Sequence, residues 1–164
     1  MKKELYVVLL ITSFIIGSCS TDTTKDMEQN TSTTSAALED LGKTLIVPWN
    51  VELNDSTQLM EIKKNPEANM FNLEPVDMVD AINFKYPQIK LEWLKQEGKR
   101  AFVKIEDARY LTRESGTEGA MAYLAEVTFS FTEFKGIEEV DFAFQEGDHA
   151  RPGLYTRENF KNFN

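Results

Sequence analysis

The octapeptide EGDHARPG, residues 146–153, holds the only histidine of the chain. His149 stands between Asp148 and Arg151. An imidazole beside a carboxylate can act as a general base, bind a metal ion or support a turn. The segment is therefore a candidate active site, a candidate metal site or a structural turn.

Several features of the segment favour the structural turn. Gly147 and Gly153 permit positive φ, and Pro152 restricts φ, as turns require. We expect Arg151 to pair with Asp148 or a neighbouring acid. Should the segment be functional, the candidate partner-binding residues are Asp148, His149, Arg151 and Tyr155.

The catalytic and metal alternatives have little support in the residue pattern. No Gly-x-Ser-x-Gly elbow accompanies the histidine, and no motif selects two of the many carboxylates as a glycosidase pair. Zinc usually has three or four ligands, whereas His149 has only Glu146 and Asp148 beside it in the sequence. The calcium-loop spacing is also missing. We predict no catalytic residue, metal or cofactor.

The N-terminus predicts export and a lipid anchor. Residues 1–18 have a basic start and a short apolar core, as in a secretory signal peptide. Ile16-Gly17-Ser18-Cys19 resembles the lipobox of bacterial lipoproteins. That resemblance implies acylation of Cys19, the only cysteine, and lipid anchoring on the periplasmic or cell-surface side. In a Gram-negative cell we expect the outer membrane.

The residues after Cys19 predict a tether and an acidic surface. Residues 19–42 are rich in Ser, Thr and Asp and have no aromatic side chain, so we predict a disordered tether. The chain has net charge −9, which excludes nucleic acid as a partner on electrostatic grounds. The bilayer is then contacted through the acyl chains and not through a basic patch.

Residues 43–164 predict one α+β domain, a small mostly antiparallel sheet with two helices on one face. The predicted order is β-α-β-β-α-β, with no structure assigned to the segment 54–73. Apolar periodicity, caps and turn residues place the elements as follows: a strand at 44–53, a helix at 74–87, a hairpin at 88–107, a helix at 116–136 and a strand at 137–147. Thr156 is predicted to cap a short final helix whose Phe160 and Phe163 pack on the domain.

The residue pattern also predicts which side chains of the two helices face the core and where the second helix begins and ends. In the first, Val76, Val79 and Ile82 are predicted to face the core. In the second, Thr117 is predicted as the N-cap and Gly136 as the C-terminal stop.

The second half of the domain resembles the GerMN family of bacterial envelope proteins. The segment 125–147 looks like the family's long helix, which ends in Thr-Glu-x-x-Gly and leads into a strand. Thr132, Glu133 and Gly136 match that motif. The segments 102–111 and 79–87 resemble the preceding strand and the first helix. The chain departs from the pattern at 54–73 and 147–160.

The resemblance implies a non-catalytic binding or assembly module in the cell envelope, with a protein or a cell-wall component as partner. The family carries no established catalytic residues. An alternative hypothesis is an envelope hydrolase that acts on a glycan or peptide through His149 and nearby carboxylates. A converging cleft at His149 would favour the hydrolase, and an open surface would favour the binding module.

Overall fold

The computed structural model describes residues 45–163, which form six strands, two α-helices and two shorter helical turns. In chain order these are β1 (Trp49–Leu53), β2 (Met60–Lys64), α1 (Pro75–Lys85), β3 (Leu91–Glu97), β4 (Arg100–Ile105), a π-helical turn (Tyr110–Glu114), α2 (Gly116–Phe131), β5 (Glu139–Ala143), β6 (Gly153–Tyr155) and a 3₁₀ turn (Arg157–Phe160). The predicted α+β class is confirmed, and the predicted order lacked β2 and β6. The predicted signal peptide, Cys19 and the tether lie outside the described residues.

The main sheet has the strand order β3-β4-β5-β6. Only β4 and β5 run parallel, and α2 forms the crossover between them. One face of the sheet is buried beneath the helices; its side chains include Leu91, Ala101, Val103, Ile105, Val140 and Phe142. Phe131 of α2 stacks on Trp93 of β3, with ring centroids 5.6 Å apart. Burial of this apolar face is what holds the layers together.

The predicted hairpin at 88–107 is confirmed as β3 and β4. Alternation of apolar and polar residues puts Ala101, Val103 and Ile105 in the core, each at most 1 % exposed. Gly98 adopts φ +58 in the turn, a backbone conformation that glycine adopts without strain. The register shifts between Trp93 and Lys95, which gives the edge strand a bulge.

The strands β1 and β2 form a separate two-stranded sheet, here called the N-terminal hairpin. The prediction of a structureless segment at 54–73 was wrong, because β2 occupies part of it. Neither strand pairs with the main sheet. Instead, the Val51 amide donates to the Glu126 carboxylate at 2.7 Å, and the Ile62 amide donates to the Phe163 carbonyl at 3.2 Å. The two edges of the N-terminal hairpin are thus held by a side chain and by the C-terminal segment, and not by neighbouring strands.

Helix α1 begins and ends close to its predicted limits. Pro75 occupies its first turn, and the Asp77 carboxylate accepts from the Glu74 amide at 2.8 Å. Val79 and Ile82 are buried as predicted, but Val76 is 50 % exposed. The core instead receives Met78 and Ala81.

Helix α2 begins at the predicted residue and ends five residues before the predicted stop. The Thr132 hydroxyl donates to the Thr128 carbonyl at 2.9 Å, and the chain then turns through Gly136, whose φ is +91. The N-cap is Ser115 and not Thr117, so that prediction was wrong. No helix within residues 45–163 combines the length and the hydropathy needed to cross a membrane.

The chain after α2 follows the prediction in part. The predicted strand at 137–147 is shorter and covers only Glu139–Ala143. Thr156 is the N-cap of the 3₁₀ turn, and its amide donates to the Asn159 side chain at 2.7 Å. Phe160 is 1 % exposed and Phe163 packs against the core, as predicted.

Candidate functional site

The candidate site lies where the parallel strands β4 and β5 end. Carboxyl ends of parallel strands meet at one edge of a sheet, and loops that leave this edge commonly form binding sites. Strand β4 ends at Ile105 and leads into the π-helical turn, while β5 ends at Ala143 and leads into EGDHARPG. This crossover brings two segments about 40 residues apart into contact.

The loop 146–151 is attached to the π-helical turn by backbone hydrogen bonds. The His149 amide donates to the Thr112 carbonyl at 3.0 Å. Within the loop, the Gly147 amide donates to the Ala150 carbonyl at 3.2 Å. Ala150 is 5 % exposed. A π-helical turn is rare and is often found near functional sites.

Gly147 is required by a close approach and not by positive φ. The predicted positive φ is found at Gly153, at +124, but not at Gly147. A Cβ atom on Gly147 would lie 2.6 Å from the Thr112 Cβ and 3.0 Å from the Thr112 carbonyl oxygen. Both distances are far inside van der Waals contact, so any side chain here displaces the loop or the π-helical turn.

The substitution Gly147→Ala is therefore expected to lower the free energy of unfolding by about 1–2 kcal/mol, as overpacking does. Urea denaturation followed by circular dichroism measures the change. Gly119→Ala is the matched control, because its new methyl group would lie 3.3 Å from its nearest neighbour, the Ser115 Cβ, which can move by a few tenths of an ångström. Equal midpoints for the two variants would contradict the close-packing argument.

The His149 ring contacts a hydroxyl group and no carboxylate. Its Nδ1 lies 3.1 Å from the Thr117 Oγ1. Among residues 45–163, no Asp or Glu side chain is hydrogen-bonded to the imidazole. Thr117 therefore holds the imidazole instead of capping α2. The arrangement lacks the carboxylate that usually orients a catalytic histidine.

Arg151 and Tyr155 are linked through the backbone of the loop. Arg151 pairs with Glu146 at 3.0 Å, which confirms pairing with a neighbouring acid but not with Asp148. The Tyr155 hydroxyl donates to the Arg151 carbonyl at 2.7 Å. Burial raises the pKa of the Tyr155 hydroxyl above its usual value, and Arg151 opposes that change. Tyr155 thus stays a neutral donor at physiological pH.

All four predicted partner-binding residues line one open depression of about 470 Å³. Met121 contributes an apolar part of its lining. A second depression, of about 290 Å³, is lined by the chain after β4 and by Arg113 of the π-helical turn. Glu146 lines both depressions, so they adjoin. We call the two together the strand-end groove.

The carboxylates of the strand-end groove do not form a metal site with other ligands of the described residues. Within residues 45–163, no three His, Cys, Asp or Glu side chains lie close enough together to hold a metal ion. Glu146 and Asp148 both line the first depression, but Glu146 is paired with Arg151.

A second cluster of polar and charged groups, centred on Glu126, was not predicted from the sequence. Glu126 in the middle of α2 is 2 % exposed. It accepts from the Tyr86 hydroxyl at 2.6 Å, from Lys85 Nζ at 2.7 Å and from the Val51 amide. The sequence does contain a signal for this cluster, because Glu126 is the only charged residue between Glu118 and Glu133. A lone carboxylate in an apolar helix needs buried partners.

Glu133 forms a matching cluster just beyond the C-terminus of α2. Its carboxylate accepts from Trp49 Nε1 at 3.0 Å, from Lys64 Nζ at 2.7 Å and from Arg157 Nη2 at 2.8 Å. Trp49 and Lys64 belong to β1 and β2, and Arg157 belongs to the 3₁₀ turn. Glu133 thus joins the N-terminal hairpin and the C-terminal segment to α2.

The residues that carry the GerMN resemblance have structural roles in this fold. Thr132 accepts from Arg157 Nε at 2.8 Å, next to the Glu133 cluster. Gly136 supplies the positive φ of the turn before β5. No family model, curated protein or solved structure matches the chain. The resemblance to the GerMN family remains a prediction.

Proposed function

We propose that this protein is a lipid-anchored lipoprotein of the bacterial envelope whose GerMN-like domain binds a protein or cell-wall component without catalysing a reaction. The lipobox at Cys19 supports the anchor, and residues 19–42 supply a tether of sufficient length to free the domain from the bilayer. The observation that carries the binding role is the strand-end groove, which gathers Asp148, His149, Arg151 and Tyr155 in one depression.

The shape and support of the groove favour recognition. Its loop is held by the His149 and Gly147 backbone hydrogen bonds, so little ordering is required when a partner binds. Arg151 is 81 % exposed and Glu146 is 58 % exposed, so both can exchange their mutual ion pair for contacts with a partner.

Replacement of His149 by alanine is expected to abolish binding of the envelope partner while leaving the fold stable. Within residues 45–163 the ring makes one hydrogen bond, with the Thr117 hydroxyl, so the loss of stability should stay at about 1 kcal/mol. The measurement is crosslinked capture of the lipidated protein from intact cells, compared with the His149→Ala variant.

Lys135→Ala is the matched control for this capture experiment. Lys135 is exposed beyond the far end of α2, and 16 helical residues separate the two ends by about 24 Å. Loss of the partner with His149→Ala and its retention with Lys135→Ala would support the strand-end groove as the binding surface. Retention by both variants would place the binding surface elsewhere.

Hydrolysis is a second candidate function, and one contact favours it. The separation of 3.1 Å between Thr117 Oγ1 and His149 Nδ1 is within the range for a nucleophile and its base. Incubation of purified envelope glycan and peptide with the protein would test this function. Product formation that disappears in both Thr117→Ala and His149→Ala would replace the binding hypothesis with an enzyme.

A further inference from the structure

Three of the four acidic side chains that line the strand-end groove are paired with neighbouring cations. Asp107 accepts from Arg109 Nε at 2.9 Å, and Glu146 pairs with Arg151 at 3.0 Å. Glu106 pairs with Lys104 of β4. These three pairs leave the lining close to electrical balance, although the whole chain has net charge −9.

Unlike those side chains, Arg113 in the second depression has no ionic partner within residues 45–163. The other four arginines within residues 45–163 each have an acidic partner; they are Arg100, Arg109, Arg151 and Arg157. Arg113 is exposed in the π-helical turn and has no side-chain hydrogen bond or ion pair within that range. In an acidic protein, a guanidinium left unpaired beside a depression is available to a ligand.

In the first depression, the charged side chain without an ionic partner within residues 45–163 is Asp148. Its carboxylate is exposed and has no hydrogen bond or ion pair within the described part of the chain. The nearest cation in sequence, Arg151, is engaged by Glu146. The strand-end groove therefore presents an unpaired cation in one depression and an unpaired anion in the adjoining one, with Glu146 lining both.

We propose that the strand-end groove binds a short peptidic ligand that carries both a free carboxylate and a free ammonium group. Arg113 binds the carboxylate through its planar donors, and Asp148 binds the ammonium. This inference rests on the proposed binding function and adds the class of ligand. The net negative charge of the protein disfavours a polyanion, whereas a ligand with balanced charges has no such penalty.

The ligand class is tested with alanine peptides of three to six residues with free termini, titrated into the full-length lipidated protein in detergent. The same peptides are prepared with an acetylated amine or an amidated carboxyl group. Isothermal titration or NMR titration gives the dissociation constants. We expect the doubly charged peptide to bind about tenfold more tightly than either blocked form, because charge-assisted hydrogen bonds are lost on blocking.

The variants assign each end of the ligand to one residue. Arg113→Gln should weaken binding about tenfold and make it insensitive to amidation, while Asp148→Asn should make it insensitive to acetylation. The exposed Lys135→Gln and Asp80→Asn variants remove the same charges elsewhere and should leave binding unchanged. Equal affinity for all peptide forms, or loss of binding in the control variants, would overturn the proposal.

Two sources could supply such a ligand, namely the peptide stems of the cell wall and the termini of other polypeptides. Cosedimentation with purified cell-wall sacculi, reduced by Arg113→Gln, would identify the wall. Binding of free peptides without sedimentation would identify polypeptide termini. If the capture experiment finds a His149-dependent partner but no peptide binds, the ligand class is wrong and the proposed function stands.

Discussion

Replacement of Glu126 by alanine is expected to lower the free energy of unfolding by about 3 kcal/mol, the effect of removing one member of a buried ion pair. Three donors lose their acceptor at once: the Val51 amide, the Tyr86 hydroxyl and Lys85 Nζ. Lys85 is 34 % exposed and recovers part of its hydration, so the value lies at the lower end of the usual range.

Urea denaturation of the purified protein measures this loss. Glu118→Ala is the matched control, since Glu118 is an exposed acid on the same helix and its replacement should change stability by less than about 0.5 kcal/mol. Glu126→Gln retains the volume and one acceptor, so its effect should fall between the two. Identical midpoints for the Glu126→Ala and Glu118→Ala variants would mean that the carboxylate is not needed to hold β1.

Acidification is expected to remove about 2 kcal/mol of stability through Glu133 alone, because the lowered pKa of this carboxyl corresponds to about 3 kcal/mol and solvent screening around the exposed Lys64 and Arg157 side chains reduces that value. Burial by itself would raise the pKa of this carboxyl, but hydrogen bonds from Lys64, Arg157 and Trp49 outweigh burial and lower the pKa to about 2. In the unfolded chain the pKa is near the ordinary value of 4.5. The stabilisation is therefore complete above about pH 5 and is lost as the pH falls toward 2.

The test compares the free energy of unfolding of the parent protein and Glu133→Gln between pH 2 and 6. The difference between them should stay constant between about pH 6 and 5 and shrink as the pH falls from about 5 toward 2. Asp107→Asn is the control, because the pKa of Asp107 is also lowered to about 2, through its hydrogen bonds with Arg109, while both side chains are well exposed. Solvent screens such a pair, so its variant should follow the parent profile.

Both experiments concern the attachment of the N-terminal hairpin. Glu126 contacts β1, and Glu133 contacts one residue from each strand of the hairpin. Trp49 also packs edge-to-face on Phe129 of α2, with ring centroids 5.1 Å apart. Since Trp49 contacts α2 directly, its fluorescence should report loss of the hairpin in either variant before the main sheet unfolds.

Local patterns in the sequence were sufficient to predict the elements with strong periodicity or caps. Strand β4 alternates strictly between buried and partly exposed residues, and this alternation decides which of its faces is buried. Helix α1 begins at a proline and ends before Pro87, and both signals act within one turn of the helix. The acylation of Cys19 is likewise a local prediction, and it lies outside the described residues.

Tertiary contacts decided the elements that the sequence did not predict. Strand β2 is only five residues long and has two lysines at its end, so no local signal separates it from a loop. Its partner β1 and the carboxylate of Glu133 stabilise it. Helix α2 ends early for a related reason, since Glu133 turns toward Trp49 and Arg157 instead of continuing the helix.

The candidate site was likewise predicted in part from the sequence and formed in part by tertiary contacts. The sequence by itself determined that His149, Asp148 and Arg151 lie in one turn, because adjacent residues in a glycine- and proline-containing loop remain adjacent. Only the tertiary structure placed that loop against the π-helical turn and beside Arg113, because the parallel pairing of β4 with β5 brings together segments that α2 separates in the chain. Such a pairing depends on burial of a shared sheet face, which no short window of sequence contains.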